Sequence, residues 1–146
     1  MIQWKRYDFS DFSSQELYDL LQLRSEVFVV EQDCVYQDID GKDHKALHVL
    51  GYKNDLLVAY ARCFKPGDYF KEASLGRVII KENQRKYGYG HHLIKESITA
   101  INNVFNETVI RISAQSHLKK FYTAHGFIQD GEGYLEDGIP HINMVN

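Results

Sequence analysis

Gly88 and Gly90 close the segment Arg85-Lys-Tyr-Gly-Tyr-Gly90. The segment falls between a strand-like run, Leu75-Gly-Arg-Val-Ile-Ile80, and a helix-like run that begins near His91. A glycine-bearing turn at the start of a helix presents several unpaired backbone N–H groups in one direction, and the positive end of the helix dipole adds to them. Glycine lets the backbone approach a ligand closely and take φ values that other residues avoid. Arg85 and Lys86 contribute formal positive charge. This is the chemistry of an anion site suited to phosphate, so the chain is expected to hold a phosphorylated small molecule.

The elements that must position this turn follow from periodicity. Ile2 to Tyr7 reads as a first strand. Ser13 with Glu16 fits a capping box, followed by Leu17, Leu20, Leu21 and Phe28 on one helical face. Ala46 to Tyr52 and Leu56 to Phe64 read as two strands joined by a tight turn at Asn54-Asp55. Ser74 to Lys81 is a third strong strand. Ile94, Ile98, Ile101 and Phe105 then recur at helical spacing. Thr108 to Ser113 is a further strand. A short helix carries Leu118, Phe121, Tyr122 and His125, with Gly126 as its C-cap and Phe127 packing back. Gly131 to Val145 reads as two short strands around Asp137-Gly138. Strands and helices mixed in this order predict an α/β or α+β fold, one sheet with helices on both faces.

Composition narrows the function classes. The 146 residues fit one domain, 1–146, without repeat or linker, and are 44% hydrophobic and 25% charged, as in a globular protein. A formal net charge of −3 argues against broad nucleic-acid binding. No apolar run approaches the roughly 20 residues of a membrane span, and Met-Ile-Gln-Trp-Lys-Arg carries no signal-peptide h-region. Cys34 and Cys63 match no Cys-x-x-Cys pattern and read as reduced thiols, which places the chain in the cytoplasm.

The turn matches neither a P-loop nor the three-glycine dinucleotide fingerprint. Its Arg-x-x-Gly-x-Gly spacing, after a strand and before a helix, resembles the phosphate turn of the GNAT acetyltransferases. Ser113 to Phe127 is similar to that family's last conserved helix, with Phe121-Tyr122-x-x-x-Gly126-Phe127. Leu23-Arg-Ser-Glu-Val-Phe-Val-Val-Glu-Gln32, Tyr36-Gln-Asp-Ile-Asp-Gly41 and Glu136-Asp-Gly-Ile-Pro-His141 resemble the ElaA-type subgroup, so the likeness covers almost the whole chain. The resemblance implies a GNAT fold, with acetyl-CoA bound where two parallel strands splay apart. It implies that Arg77, Val78, Ile79 and Ile80 lend backbone groups to the pantetheine arm. Arg85, Lys86, Tyr87, Gly88, Tyr89, Gly90 and His91 are then expected to cradle the pyrophosphate, and Gln115 and Lys120 to join the cofactor-binding set. Gln115 stands where many members carry Asn; both amides can bond the CoA arm. The resemblance also puts Tyr122 near the thioester sulfur. A free thiol titrates near 8.5 and a phenol near 10, so a positioned phenol can hydrogen-bond the departing thiolate and deliver a proton. Many members pair through their sheets, which leaves a homodimer open.

The acceptor is an amine, free or on a peptide, and a primary amine must lose a proton before it attacks. Glu31, His48, Glu136 and His141 are the candidate bases, and the sequence does not choose among them. Six acids fall between Glu26 and Asp43 (Glu26, Glu31, Asp33, Asp38, Asp40 and Asp43), while Arg77, Lys81, Arg85, Lys86 and Lys95 crowd the middle of the chain. If these segments converge, acidic walls favour a small cationic amine or a lysine side chain. Asp38 and Asp40 changed to Asn are then expected to weaken amine binding more than acetyl-CoA binding. Asp38-Ile-Asp40-Gly41 fails as a calcium loop, because Tyr36 and Leu47 would fill the first and twelfth positions. His44 and His48 make a poor transition-metal pair, since His48 lies in a strand; no metal is expected. Asp33 would raise the Cys34 thiol rather than activate it, so direct transfer is preferred to an acyl-cysteine. The alternative from another class is a non-catalytic acyl-CoA sensor.

Overall fold

The computed structural model describes all 146 residues. Strand β1 (Gln3–Tyr7) leads to helix α1 (Ser14–Arg24). The Ser13–Glu16 capping box forms as the sequence predicts, with each side chain satisfying the other residue's backbone N–H. The helix continues as a wider π-helical segment, Ser25–Glu31. β2 (Leu47–Lys53) and β3 (Leu56–Phe64) form a hairpin whose turn residues, Asn54 and Asp55, both take positive φ. That is the geometry that matches the twist of the flanking strands.

β4 (Ala73–Ile80) is followed by α2 (Tyr89–Ala100), β5 (Ile110–Gln115) and the short helix α3 (Lys119–Thr123). Gly126 ends the α3 turn at φ +89°, and Phe127 N–H bonds back to the Tyr122 carbonyl while its ring is fully buried. β6 (Ile128–Gln129), β7 (Tyr134–Glu136) and β8 (Ile139–Val145) complete the sheet. β6 is too short to show in the sequence pattern.

The strand order is β1-β2-β3-β4-β5-β8-β6, with β7 paired to β8. All neighbours are antiparallel except β4 and β5. Alternation along the strands splits the core in two. Ala59, Ala61, Leu75, Ile112 and Met144 pack against Leu93 and Ile94 of α2 on one face. Leu50, Tyr60 and Ile79 pack against Leu20, Leu23 and Val27 on the other.

The parallel pair is what positions the site. β4 and β5 are joined only at Ala73↔Ile110 and Ser74↔Arg111. Beyond that point both strands continue, yet they no longer bond each other. A few residues past the last paired position β4 bulges: Arg62 pairs with Gly76 and Tyr60 with Ile79, so Arg77 and Val78 together oppose Ala61.

Candidate active site

The opening between β4 and β5 is a cleft of about 660 Å³, within the range of small-molecule sites. It runs from the α2 face of the sheet to the α1 face. On the α2 face it is bordered by Gly88, Gly90, His91, Leu118, Phe121 and Tyr122. Gly88 sits at φ +74° as the residue before α2, and no side chain caps that end. The first N–H groups of α2 therefore lack intrahelical partners and face outward with the helix dipole. At Gly90 an added Cβ would meet the Phe121 ring at 3.3 Å, so the main chain is closely packed here.

Tyr122 is 6% exposed, and burial pushes its phenol well above its ordinary pKa. Tyr122 borders the cleft, and its phenol keeps its proton at neutral pH, as a donor requires. Beside it, His91 Nδ1 and His125 Nε2 lie 2.8 Å apart, sharing one hydrogen bond.

On the α1 face the border is made of side chains. Phe28 and Tyr36 come from the first helical segment and the loop after it, Phe64 and Tyr69 from β3 and the β3–β4 connection. His141 lies at the start of β8, opposite Gln115 of β5. Its Nδ1–H donates to the Ile139 carbonyl at 2.7 Å, which leaves Nε2 as the free lone pair, 3.4 Å from Glu136 Oε2. Glu136 is steadied by a relay: Ser113 donates to Glu136 Oε1 at 3.1 Å and is itself bonded to the Tyr134 hydroxyl. Arg62 Nε and Ser74 Oγ on this floor have no protein partner, which costs roughly 1–3 kcal/mol each unless another group bonds them.

Most of the residues singled out in the sequence meet at this cleft. Arg77, Val78, Ile79, Ile80, Arg85, Gly88, Gly90, His91, Gln115, Tyr122, Glu31 and His141 all line it. Lys86, Tyr87, Tyr89 and Lys120 do not; Lys53 lies over the Tyr87 and Tyr89 rings instead, and Lys120 is exposed on α3. His48 is also outside. It is fully buried between Tyr60 and the Asp43 carbonyl, with both ring nitrogens bonded at 2.6 and 2.9 Å, so it cannot take a proton from a substrate. Glu31 faces the cleft but holds Arg85 in a two-pronged ion pair at 2.6 and 2.9 Å.

The acidic loop corrects the sequence reading further. Asp38, Asp40 and Asp43 do not form an open acidic wall. Asp43 bonds Arg24 at 2.7 Å and Arg62 at 3.0 Å; Asp40 bonds Arg62 at 2.7 Å; Asp38 bonds Arg24 at 2.8 Å and Arg77 at 2.7 Å. Three carboxylates thus neutralise three guanidinium groups, two of which, Arg24 and Arg62, are buried. Burial alone would raise the Asp40 carboxyl, yet the hydrogen bonds and charge of Arg62 outweigh it and hold it at about 2. Sequence reasoning missed Arg24 and Arg62 entirely. An arginine on an apolar helical face, Leu20-Leu21-x-Leu23-Arg24-x-x-Val27, was the available signal.

A parallel pair that parts above its first two residues, ending at an uncapped helix start, matches what the resemblance to GNAT enzymes implies. A family model described as an acetyltransferase (GNAT) domain matches residues 9–146. The chain belongs to the GNAT family. Among its relatives, protein ElaA of Escherichia coli K12 is 46% identical over 99% of this chain and 96% of that protein. A UPF0039 protein of Synechocystis is 40% identical over 99% and 94%. Among solved structures, an acyl-CoA N-acyltransferase from Pseudomonas aeruginosa superposes with a TM-score of 0.94 at 39% identity, covering 99% of both chains. The crystal structure of E. coli ElaA does so at 0.92 and 45%, again over 99% of both. This GNAT protein is therefore ElaA-like, with a fold that implies acyl-CoA binding and amine acylation as the general reaction. No helix is long and apolar enough to cross a membrane.

Proposed function

We propose that this GNAT protein transfers an acetyl group from acetyl-CoA directly to a primary amine, a small cationic amine or a lysine side chain. The observation that carries the reading is the cleft itself: Tyr122 and His141 both line it, from opposite faces of the sheet, and to them we assign the roles of proton donor and proton acceptor. The unpaired edges of β4 and β5 offer N–H and C=O groups to a pantetheine arm, and the start of α2 offers its N–H groups to the diphosphate. Acetyl-CoA supplies the activated thioester.

His141 Nε2 takes the proton of the incoming ammonium, and Glu136 stabilises the imidazolium that results. As the new C–N bond forms and the C–S bond breaks, Tyr122 donates its proton to the leaving thiolate, the second proton of the attacking nitrogen passes through water to the phenolate, and His141 releases its own to solvent. Glu31 is assigned to charge balance with Arg85 rather than to the base role, because both of its carboxylate oxygens are already bonded to the guanidinium. With Arg62 and Arg77 already neutralised, Glu136 and Asp137 are the charges left beside His141, and they favour a cationic acceptor.

The test is release of free thiol from acetyl-CoA with polyamines, amino sugars and lysine peptides, in a low-salt buffer. At least one amine should turn over. Tyr122→Phe should lower kcat by about 10²-fold and leave the calorimetric affinity for acetyl-CoA within about threefold, less than 1 kcal/mol. Binding without turnover on any amine, with indifference to Tyr122→Phe, would establish the sensor instead.

A further inference from the structure

Arg77 stands at φ +49° inside a strand, where a residue with a Cβ is strained. The other non-glycine residues with positive φ are Asp33, Asn54, Asp55, Asn106 and Asp137. All are Asn or Asp in turns or at a helix end, where that conformation is tolerated. Arg77 is the exception, and it lies in the β4 bulge, within the stretch of β4 that is no longer paired to β5. Strained backbone persists where its surroundings over-determine it.

The restraint is visible. Arg77 Nε–H donates to Asp38 Oδ1 at 2.7 Å, and its terminal N–H donates to the Asp38 carbonyl at 3.2 Å. Asp38 is itself fixed. The fully buried Arg24 donates to Asp38 Oδ2 at 2.8 Å and to the same carbonyl at 3.1 Å, and Tyr36 donates to Oδ1 at 3.1 Å. Two guanidinium forks thus grip both the side chain and the main chain of one residue, a geometry that sets orientation as well as distance.

We propose that Asp38 is a positioning residue for the cofactor strand: through Arg77 it holds the β4 bulge in its left-handed form and so keeps the acyl-CoA gap open, without touching the cofactor. The inference rests on the acyl-CoA reading above. It also reverses the expectation drawn from the sequence, because Asp38 then serves the cofactor and not the amine.

The test compares Arg77→Ala with Arg77→Gly. Both lose the tether, but only alanine keeps the Cβ that resists positive φ. Arg77→Ala should weaken acetyl-CoA binding by about tenfold, because the open bulge becomes a minor conformer. Arg77→Gly should weaken it by no more than about threefold. The KM for acetyl-CoA should rise in the same order, more in Arg77→Ala than in Arg77→Gly. Asp38→Asn should raise the KM for acetyl-CoA more than that for the amine. In the free proteins, amide exchange at Val78 and Ile79 should be faster in Arg77→Ala than in Arg77→Gly.

Equal losses in the alanine and glycine variants would mean that the guanidinium touches the cofactor itself. No loss in either would mean that the bulge stands unaided. Either result overturns the proposal. If the wild type binds no acetyl-CoA, the functional reading fails first, and the exchange rates of the two Arg77 variants still decide whether the tether holds the bulge.

Discussion

On the α2 side the groups offered to the cosubstrate are largely main chain, the uncapped start of α2 after Gly88 and the strand edges of β4 and β5, with the Tyr122 side chain beside them. On the α1 side it is edged by side chains drawn from the first helical segment, the loop after it, β3, and the β7–β8 hairpin. The first side needs only geometry to bind, since backbone N–H groups are always present. The second needs particular chemistry at particular points, held by ion pairs such as Arg62–Asp40 and Arg62–Asp43. A shared cosubstrate is served by backbone, and a particular acceptor by side chains. Each half should therefore fail alone.

The sharpest separation is expected at His141. His141→Gln keeps the size and polarity of the side chain but removes the basic lone pair at Nε2. Turnover of the best amine should fall by about 10²-fold or more, while acetyl-CoA affinity stays unchanged. A parallel loss of cofactor binding would break the comparison, because it would show that the two halves are not independent.

The reverse case is Gly88→Val. At φ +74° a β-branched residue is strained, at a cost of roughly 1–3 kcal/mol. The turn should relax and misdirect the N–H groups at the start of α2. Acetyl-CoA affinity should drop by at least about tenfold, with thermal unfolding lowered by only a few degrees. Retained affinity would mean that the turn is not the anion site.

This contrast also explains what the sequence disclosed. Gly88 and Gly90 are local signals: two residues apart, between one strand and one helix, they describe their own geometry. The Asn54-Asp55 turn, the Ser13–Glu16 cap and the Gly126-Phe127 cap were legible for the same reason, since each is settled within a few residues. The α1 half is made by contacts across long stretches of chain, such as Arg62 with Asp40 and Arg77 with Asp38. No local rule couples these positions. A run of acids in a loop reads as an open acidic surface until buried arginines are found opposite it, so Asp38 and Asp40 were misread. His48 was misread likewise, because alternation placed it in a strand without revealing that Tyr60 and Asp43 enclose it.

The same enclosure gives the smallest effect. His48 is held neutral: its Nε2–H donates to the Asp43 carbonyl, and its Nδ1 accepts from the Tyr60 hydroxyl. Burial lowers its pKa below 6.5, and the charges of Arg24 and Arg62 push it the same way, against the pull of Asp43. The unfolded chain therefore binds this proton first as pH falls. The stability tied to neutral His48 is complete above about 6.5 and is lost below it, with a slope of at most about 1.4 kcal/mol per pH unit. His125, lowered by partial burial and by the charges of His91 and Lys95, adds in the same direction. Asp40, held at about 2, and Asp43, also lowered, extend the loss only below 3.8. Urea unfolding at pH 7.5 and 5.5 should show the wild type losing about 1 kcal/mol, and His48→Gln losing less than half as much. A wild type equally stable at both values would mean that the imidazole tolerates its charge inside the network, and that the α1 half is less tightly specified than its hydrogen bonds imply.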